Sequence, residues 1–414
     1  MKRIIYLIAT LALILAMTAC SNSPTEPRNR EVRELTSVEK ALVEAENSFG
    51  LKVFRAINND EKDKNVFISP LSISMALGMT LNGANGTTKE AMQNALELAG
   101  LSDQQINENY QSLIDLLTGL DPKVKFQIAN SIWYRNDFVF KESFINLNKK
   151  YFYAKVAGLD FTNPQSAKII NSWVEDNTNG KIKKIVDQIE AHIVMFLINA
   201  IYFKGVWTYE FDKSQTQDDL FNLPDGSQKT VPMMTQSREF SYYANDQFQA
   251  VDLPYGDELF SMTIILPAPE INVDDFLAAL SAENWNLWTG SFSKTDGVLY
   301  FPRFKLEYEK LLNDALKSLG MAIAFDQDQA DFTRMFDKVG GINLFIDKVK
   351  HKSFVEVNEE GTEAAAVTSV EIGFTTSVGP GSPFVMRVDR PFIFAIREHH
   401  SGTILFVGKI VDPS

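Results

Sequence analysis

Apolar residues recur at helical spacing in Val38, Ala41, Leu42 and Ala45, directly behind Thr36 and Glu39. A threonine followed three residues later by a glutamate satisfies two first-turn amides reciprocally, so this pair predicts a helix starting at Thr36. Ser69-Pro70 is a second start signal, a capping hydroxyl followed by a first-turn proline, and the run Leu71 to Leu81 stops at Asn82-Gly83. Thr87 with Glu90 predicts a third helix start. Further on, Ile193 to Phe203 is almost continuously apolar, as expected of a strand buried on both faces, and Ser261 to Leu266 and Val298 to Phe304 predict further strands. Pro224-Asp225-Gly226 marks a turn between strands. Helix and strand signals mix without a regular βαβ rhythm, and no linker-like stretch or internal repeat divides residues 36–414. The expectation is therefore an α+β fold in a single large domain.

One segment carries two contradictory patterns. From Glu359 to Phe374, the even positions Thr362, Ala364, Ala366, Thr368, Val370, Ile372 and Phe374 alternate with the charges Glu363 and Glu371 at odd positions. Extended backbone would gather both charges on one face and leave the other fit for burial. The first half lacks the branched and aromatic residues that anchor a strand, and Gly361 supplies a flexible point at its start. Such a segment can sit inside a sheet or outside it.

Composition narrows the functional classes. A chain of 414 residues with 45% apolar content can bury a large core, and its formal charge of -13 argues against nucleic acid, since phosphate binding needs clustered Lys and Arg. The four histidines, His192, His351, His399 and His400, form no His-Glu-x-x-His helix, and neither a nucleophile elbow nor a phosphate-binding glycine loop is present. The adjacent pair His399-His400 points its rings apart in most backbones, and Ser401-Gly402 behind it reads as a hairpin turn. The chain therefore reads as no enzyme, with no metal and no cofactor.

At the N-terminus, Lys2 and Arg3 precede an apolar run from Ile4 to Met17 and then Thr18-Ala19-Cys20. This is an export signal, too short for a membrane span. Its end looks like a bacterial lipobox, with Met17 in place of the usual leucine, which would make Cys20 the lipidated first residue of the mature chain. Cys20 is the one cysteine in the sequence, so no intramolecular disulfide competes for it. Residues 20–36 then read as a lipidated cysteine and polar tether carrying Pro24 and Pro27, after a signal peptide at 1–19 and ahead of a domain at 37–414. Ser21 behind the cysteine fits sorting to the outer membrane or cell surface.

Several motifs recur in a fixed order: Asn65-Val66-Phe67-Ile68-Ser69-Pro70-Leu71-Ser72, Leu81-Asn82-Gly83-Ala84, Asn130-Ser131 and Asn199-Ala200-Ile201-Tyr202-Phe203-Lys204-Gly205-Val206-Trp207. Val231-Pro232-Met233-Met234, Phe301-Pro302-Arg303-Phe304, Leu319-Gly320-Met321, Arg390-Pro391-Phe392 and Phe406-Val407-Gly408-Lys409 follow. Together with Gly361-Thr362-Glu363-Ala364-Ala365-Ala366, this order resembles the serpin family over roughly residues 40 to 413. The resemblance implies a serpin fold: a large central β-sheet, smaller sheets, surrounding helices and an exposed reactive-centre loop. It also implies suicide inhibition, in which a serine protease cleaves the loop and the loop inserts as a new strand before the acyl-enzyme hydrolyses. The alternative is a non-inhibitory serpin, acting as a protease substrate or a carrier.

By the same resemblance, Glu359, Gly361, Thr362, Glu363, Ala364, Ala365, Ala366 and Val367 form the hinge. Ser69, Ser72, Asn199 and His351 form the polar cluster, or shutter, beneath the separating strands, and Trp207 sits at the breach where insertion begins. Thr362 is small enough to be buried on insertion, and Ala364 to Val367 add neither bulk nor proline. From Gly361 to Thr375 the insert would span on the order of 50 Å as a strand. The family's spacing from Gly361 puts the scissile bond at Thr375-Thr376, with Phe374-Thr375, Thr376-Ser377 and Val378-Gly379 as alternatives. No Lys or Arg lies between Gly361 and Met386, so an elastase-, subtilisin- or chymotrypsin-like target is expected rather than a trypsin-like one. Thr87 to Gly100 carries one Lys and two Glu, so the basic heparin helix of some serpins has no counterpart there. The expected partner is an extracellular serine protease in a covalent acyl complex. The membrane is reached only through the N-terminal lipid, and the chain is expected to be a monomer.

Overall fold

The computed structural model describes residues 33–338, 340–362 and 383–414. Leu35–Ser414 form one compact unit, and residues 1–34 fall in a separate one of which only Arg33 and Glu34 are described. One-turn helices apart, the elements in chain order are α1 (Ser37–Asp60), β1 (Val66–Ile68), α2 (Pro70–Leu81), α3 (Gly86–Ala95), α4 (Asp103–Leu117), β2 (Val124–Arg135), α5 (Glu142–Tyr151), β3 (Lys155–Leu159), α6 (Gln165–Asn177) and β4 (Met195–Val206). After them come β5 (Gln217–Asn222), β6 (Gln228–Ala244), β7 (Phe248–Tyr255), β8 (Phe260–Pro267), α7 (Ala282–Gly290), β9 (Ser293–Pro302), β10 (Phe304–Leu311), β11 (Lys350–Asn358), β12 (Gly361–Thr362), β13 (Phe384–Arg387), β14 (Phe392–Glu398) and β15 (Ile404–Ile410). Among the described residues no helix is long and apolar enough to cross a membrane.

The strands form two sheets. The nine-stranded one runs β1–β15–β14–β8–β7–β6–β9–β13, with β5 beside β6, and the six-stranded one runs β10–β11–β12–β4–β2–β3. The interior strands β8 and β15 are buried at every position, as expected where both faces are covered. Phe67 stacks against both Phe394 and Phe406, and Phe304 and Phe392 extend this aromatic layer towards the six-stranded sheet. A second core lies on the six-stranded sheet, where Ile170 and Val174 of α6 pack with Trp133 of β2 and Ile198 of β4.

Local signals fixed the first helices. Thr36 caps α1 with a complete capping box, its Oγ1 accepting from the Glu39 amide while the Glu39 carboxylate accepts from the Thr36 amide. Ser69 caps α2 ahead of Pro70. The third start differs from expectation: α3 begins at Gly86 with Asn85 before it, one residue ahead of Thr87. The Asn85 amide side chain donates instead to Asp331 (3.3 Å) and Thr333 (3.2 Å), a partnership set by tertiary contact and hidden from local pattern. Two strand expectations also shift. β4 is not buried on both faces: Met195, Phe196 and Leu197 in succession are only half-covered, and half-covered residues alternate with buried ones from Ile198 to Ile201. The stretch 298–304 splits into β9 and β10 at Arg303, whose amide turns away to Pro232 O at 2.9 Å.

Candidate functional site: the head of the six-stranded sheet

β12 is the two-residue strand on which the site is built. Gly361 and Thr362 pair with Asn358 and Val357 of β11 on one side and with Val206 and Gly205 of β4 on the other, antiparallel to both. The polypeptide therefore leaves β11, turns at Glu359-Glu360 and re-enters the sheet between β11 and β4. Gly361 is required by this close approach: at φ +152° an added Cβ would lie 2.1 Å from Gly205 O. Thr362 is 3% exposed, and its hydroxyl meets the Tyr255 hydroxyl at 2.5 Å. Burial holds the Tyr255 phenol far above its ordinary range, so it stays neutral and either hydroxyl of the pair can donate to the other.

Trp207 roofs this entry. Its ring stacks on Tyr255 at 4.3 Å and 12°, its Nε1 donates to Asn358 O at 2.9 Å, and its backbone amide donates to Glu360 O at 2.9 Å. Glu359 is also 3% exposed and is held by three neighbours: Thr216 Oγ1 donates to its carboxylate at 2.6 Å, Arg303 lies at 3.5 Å, and Phe211 N donates to its carbonyl at 2.9 Å. Glu360 pairs with Lys213, and the nearby Glu210 carboxyl is raised by burial and by the Glu360 charge.

The four residues of the polar cluster come together beneath the strands. His351 Nε2 accepts from the Ser69 amide at 3.1 Å, Ser69 Oγ donates to Leu405 O at 2.7 Å and accepts from the Ser72 amide at 3.2 Å, and Ser72 Oγ reaches Asn199 O at 3.5 Å. Sequence reasoning missed three members. Asn130 Oδ1 accepts from Asn199 Nδ2 at 2.8 Å, Ser353 Oγ donates to Phe67 O at 2.6 Å, and Tyr255 joins Thr362 as above. Asn130 stands beside Ser131 in β2 and Ser353 follows Lys350-His351-Lys352 in β11, so neither local sequence marks the residue as a buried polar group or names its partner. Glu363 to Val367, the bonds considered at Phe374, Thr375, Thr376, Ser377, Val378 and Gly379, and Cys20 lie outside the described residues.

Two buried titratable groups flank α2. His351 touches its cap, and Glu46 on α1 accepts through Oε1 from Ser74 of α2 and from Tyr110 OH (2.7 Å) while its Oε2 finds no partner. Burial lowers the His351 imidazole from 6.5 to about 4 and raises the Glu46 carboxyl from 4.5 to about 7. As pH falls from 6.5 to 4 the unfolded chain protonates at His351 before the native one does, so this group removes stability. As pH rises from 4.5 to 7 the unfolded chain releases the Glu46 proton first, so that group also removes stability, in the opposite direction. Each effect is on the order of 3 kcal/mol, and they oppose each other between pH 4.5 and 6.5. Urea midpoints should therefore fall with rising pH in His351→Gln and climb with rising pH in Glu46→Gln; parallel profiles in the two variants would refute the assignment.

The sequence model of the family described as serpin (serine protease inhibitor) matches residues 44–413. The chain is 36% identical to human serpin B8 over 90% of its length and 99% of the relative's. Identity to an uncharacterized serpin-like protein of Thermococcus kodakarensis is 35%, over 91% of this chain and 86% of the relative. Among solved structures, a thermophilic serpin, tengpin, in its native state superposes with a TM-score of 0.83 at 33% identity, covering 92% of this chain and 96% of its own. Human thyroxine-binding globulin complexed with thyroxine superposes with a TM-score of 0.81 at 28% identity, covering 91% and 100%. The chain belongs to the serpin family.

Proposed function

We propose that the protein is a suicide-substrate inhibitor of serine proteases, and that it accepts the cleaved segment after Thr362 as a full strand between β11 and β4. The observation that carries this reading is β12: the first two residues of the insert already pair with both neighbours, and Thr362 already occupies a buried, hydrogen-bonded position. In the reaction, the protease serine Oγ attacks the carbonyl carbon of Thr375, and the Thr375–Thr376 amide bond breaks. The new amine of Thr376 leaves with the transferred proton, and an ester to the protease remains. Insertion then carries the esterified carbonyl away before water can attack it. Ser69, Ser72, Asn199 and His351, joined by Asn130, act as the exchangeable hydrogen-bond set beneath the parting strands. Trp207 and Tyr255 hold the entry.

The absence of Lys and Arg between Gly361 and Met386 directs the inhibitor to elastase-, subtilisin- or chymotrypsin-like enzymes. Lipid on Cys20 would hold it at the cell envelope, facing extracellular proteases. The alternative is a carrier or simple protease substrate, favoured by the likeness to thyroxine-binding globulin.

The chain should form an adduct stable on denaturing gels with elastase, subtilisin or chymotrypsin and none with trypsin. The mass of the released loop fragment identifies the bond. Clean cleavage after Gly361 without an adduct, and with unchanged thermal stability, would establish the non-inhibitory alternative. A trypsin adduct cut after Arg387 would overturn the specificity.

A further inference from the structure

Below Thr362, β4 and β11 have no backbone pairing to each other among the described residues, and the two banks line a cavity of about 560 Å³. The segment of residues 181–193, between α6 and β4, runs lengthwise beside this gap. Its inner side is anchored to α6: Asn171 Oδ1 accepts from the Ile185 and Val186 amides, both at 2.9 Å, and Asn171 Nδ2 donates to Val186 O at 2.7 Å. Ile182 and Val186 pack in the second core with Trp133 and Ile198.

The outer side of the segment is charged and reaches the opposite bank at successive levels. Lys181 lies over the Phe354 ring at 4.8 Å and 4.0 Å from Glu356. Asp187 pairs with Lys350 at 3.0 Å, Glu190 with Lys348 at 2.5 Å, and His192 Nε2 stands 3.5 Å from Asp347. Lys350 continues the chain of charges to Glu309 on β10 at 2.7 Å. Its bonds to Lys184 and Lys350 hold the Asp187 carboxyl down at about 2, and the bond to Lys348 lowers Glu190.

We propose that residues 181–193 form an ionic strap across the two banks, and that ionic strength sets how firmly it ties them together. Side-chain ion pairs this exposed are screened within about 8–10 Å at moderate salt, so the strap weakens while the apolar anchoring on α6 persists. The consequence for inhibition rests on the insertion mechanism proposed above; the strap itself does not.

Hydrogen exchange of the uncleaved full chain in 0.05 M and 0.5 M NaCl separates the two. Exchange in 182–193 and in 344–350 should rise together with salt, by roughly 3- to 10-fold. The double variant Asp187→Asn, Glu190→Gln should exchange at the high-salt rate in both buffers, and Lys123→Gln, which removes an exposed pair to Asp257 elsewhere, should follow the wild type. Salt-independent exchange, or a response in only one of the two segments, would overturn the strap. A strap that responds to salt in a chain that forms no protease adduct would sustain this inference and defeat the inhibitory reading.

Discussion

On the inhibitory mechanism proposed above, Thr362→Arg should leave cleavage of the chain intact and abolish the covalent adduct. Thr362 is buried between β11 and β4, and its one polar atom is matched to the Tyr255 hydroxyl. A guanidinium in its place meets a neutral phenol beneath the Trp207–Tyr255 stack. An unpaired buried charge costs about 3–5 kcal/mol, and even 3 kcal/mol slows a step by roughly 100-fold. In the proposed mechanism trapping is a race between insertion and hydrolysis of the ester, so a delay of that size gives the race to water. Thr362→Val provides the control. It strands the Tyr255 hydroxyl, at a cost of about 1–2 kcal/mol, but buries no charge and should retain most of the adduct. The ratio of adduct to cleaved chain on gels reads both variants; an arginine variant that traps as well as the wild type would show that Thr362 is not buried during inhibition.

How far this site was legible in the sequence depended on how local each signal was. The capping box at Thr36 and Glu39 and the Ser69-Pro70 start are complete within four residues, and both fold as read. The alternation that begins at Thr362 also resides in the chain itself, because period two is a property of consecutive residues. The start expected at Thr87 shifted for the opposite reason, since Asp331 and Thr333, the partners of Asn85 ahead of the helix, lie far along the chain. The same holds for Tyr255, Thr216 and Arg303. Each is an ordinary residue at its own position and becomes part of the site only because β7, the segment before β5, and the β9–β10 junction meet at the head of the six-stranded sheet. The half-covered start of β4 belongs to this group too, because an apolar run reads the same whether a gap or a neighbouring strand lies beside it.

Glu359→Lys will loosen the root of the loop and lower the melting temperature by roughly 4–6 °C, from a loss of about 3–5 kcal/mol. The carboxylate is 3% exposed and stands between a donor, Thr216 Oγ1, and a cation, Arg303. Lysine there buries a cation beside the half-exposed Arg303 and adds the field of Lys213, which is bonded to the adjacent Glu360. The damage spreads through the backbone. The Glu359 and Glu360 carbonyls accept from Phe211 and Trp207, so displacing this turn withdraws acceptors from the residue that roofs Tyr255 and Thr362. Adding Arg303→Glu to Glu359→Lys restores an opposite pair in reversed polarity and should recover roughly half of the lost stability, while the bond from Thr216 stays lost. A melting temperature within about a degree of wild type in Glu359→Lys would mean that this carboxylate does not hold the turn. Equal melting temperatures in the single and double variants would assign the loss to Thr216 rather than to the charge pair, and would move the anchor of the loop from electrostatics to a single hydroxyl.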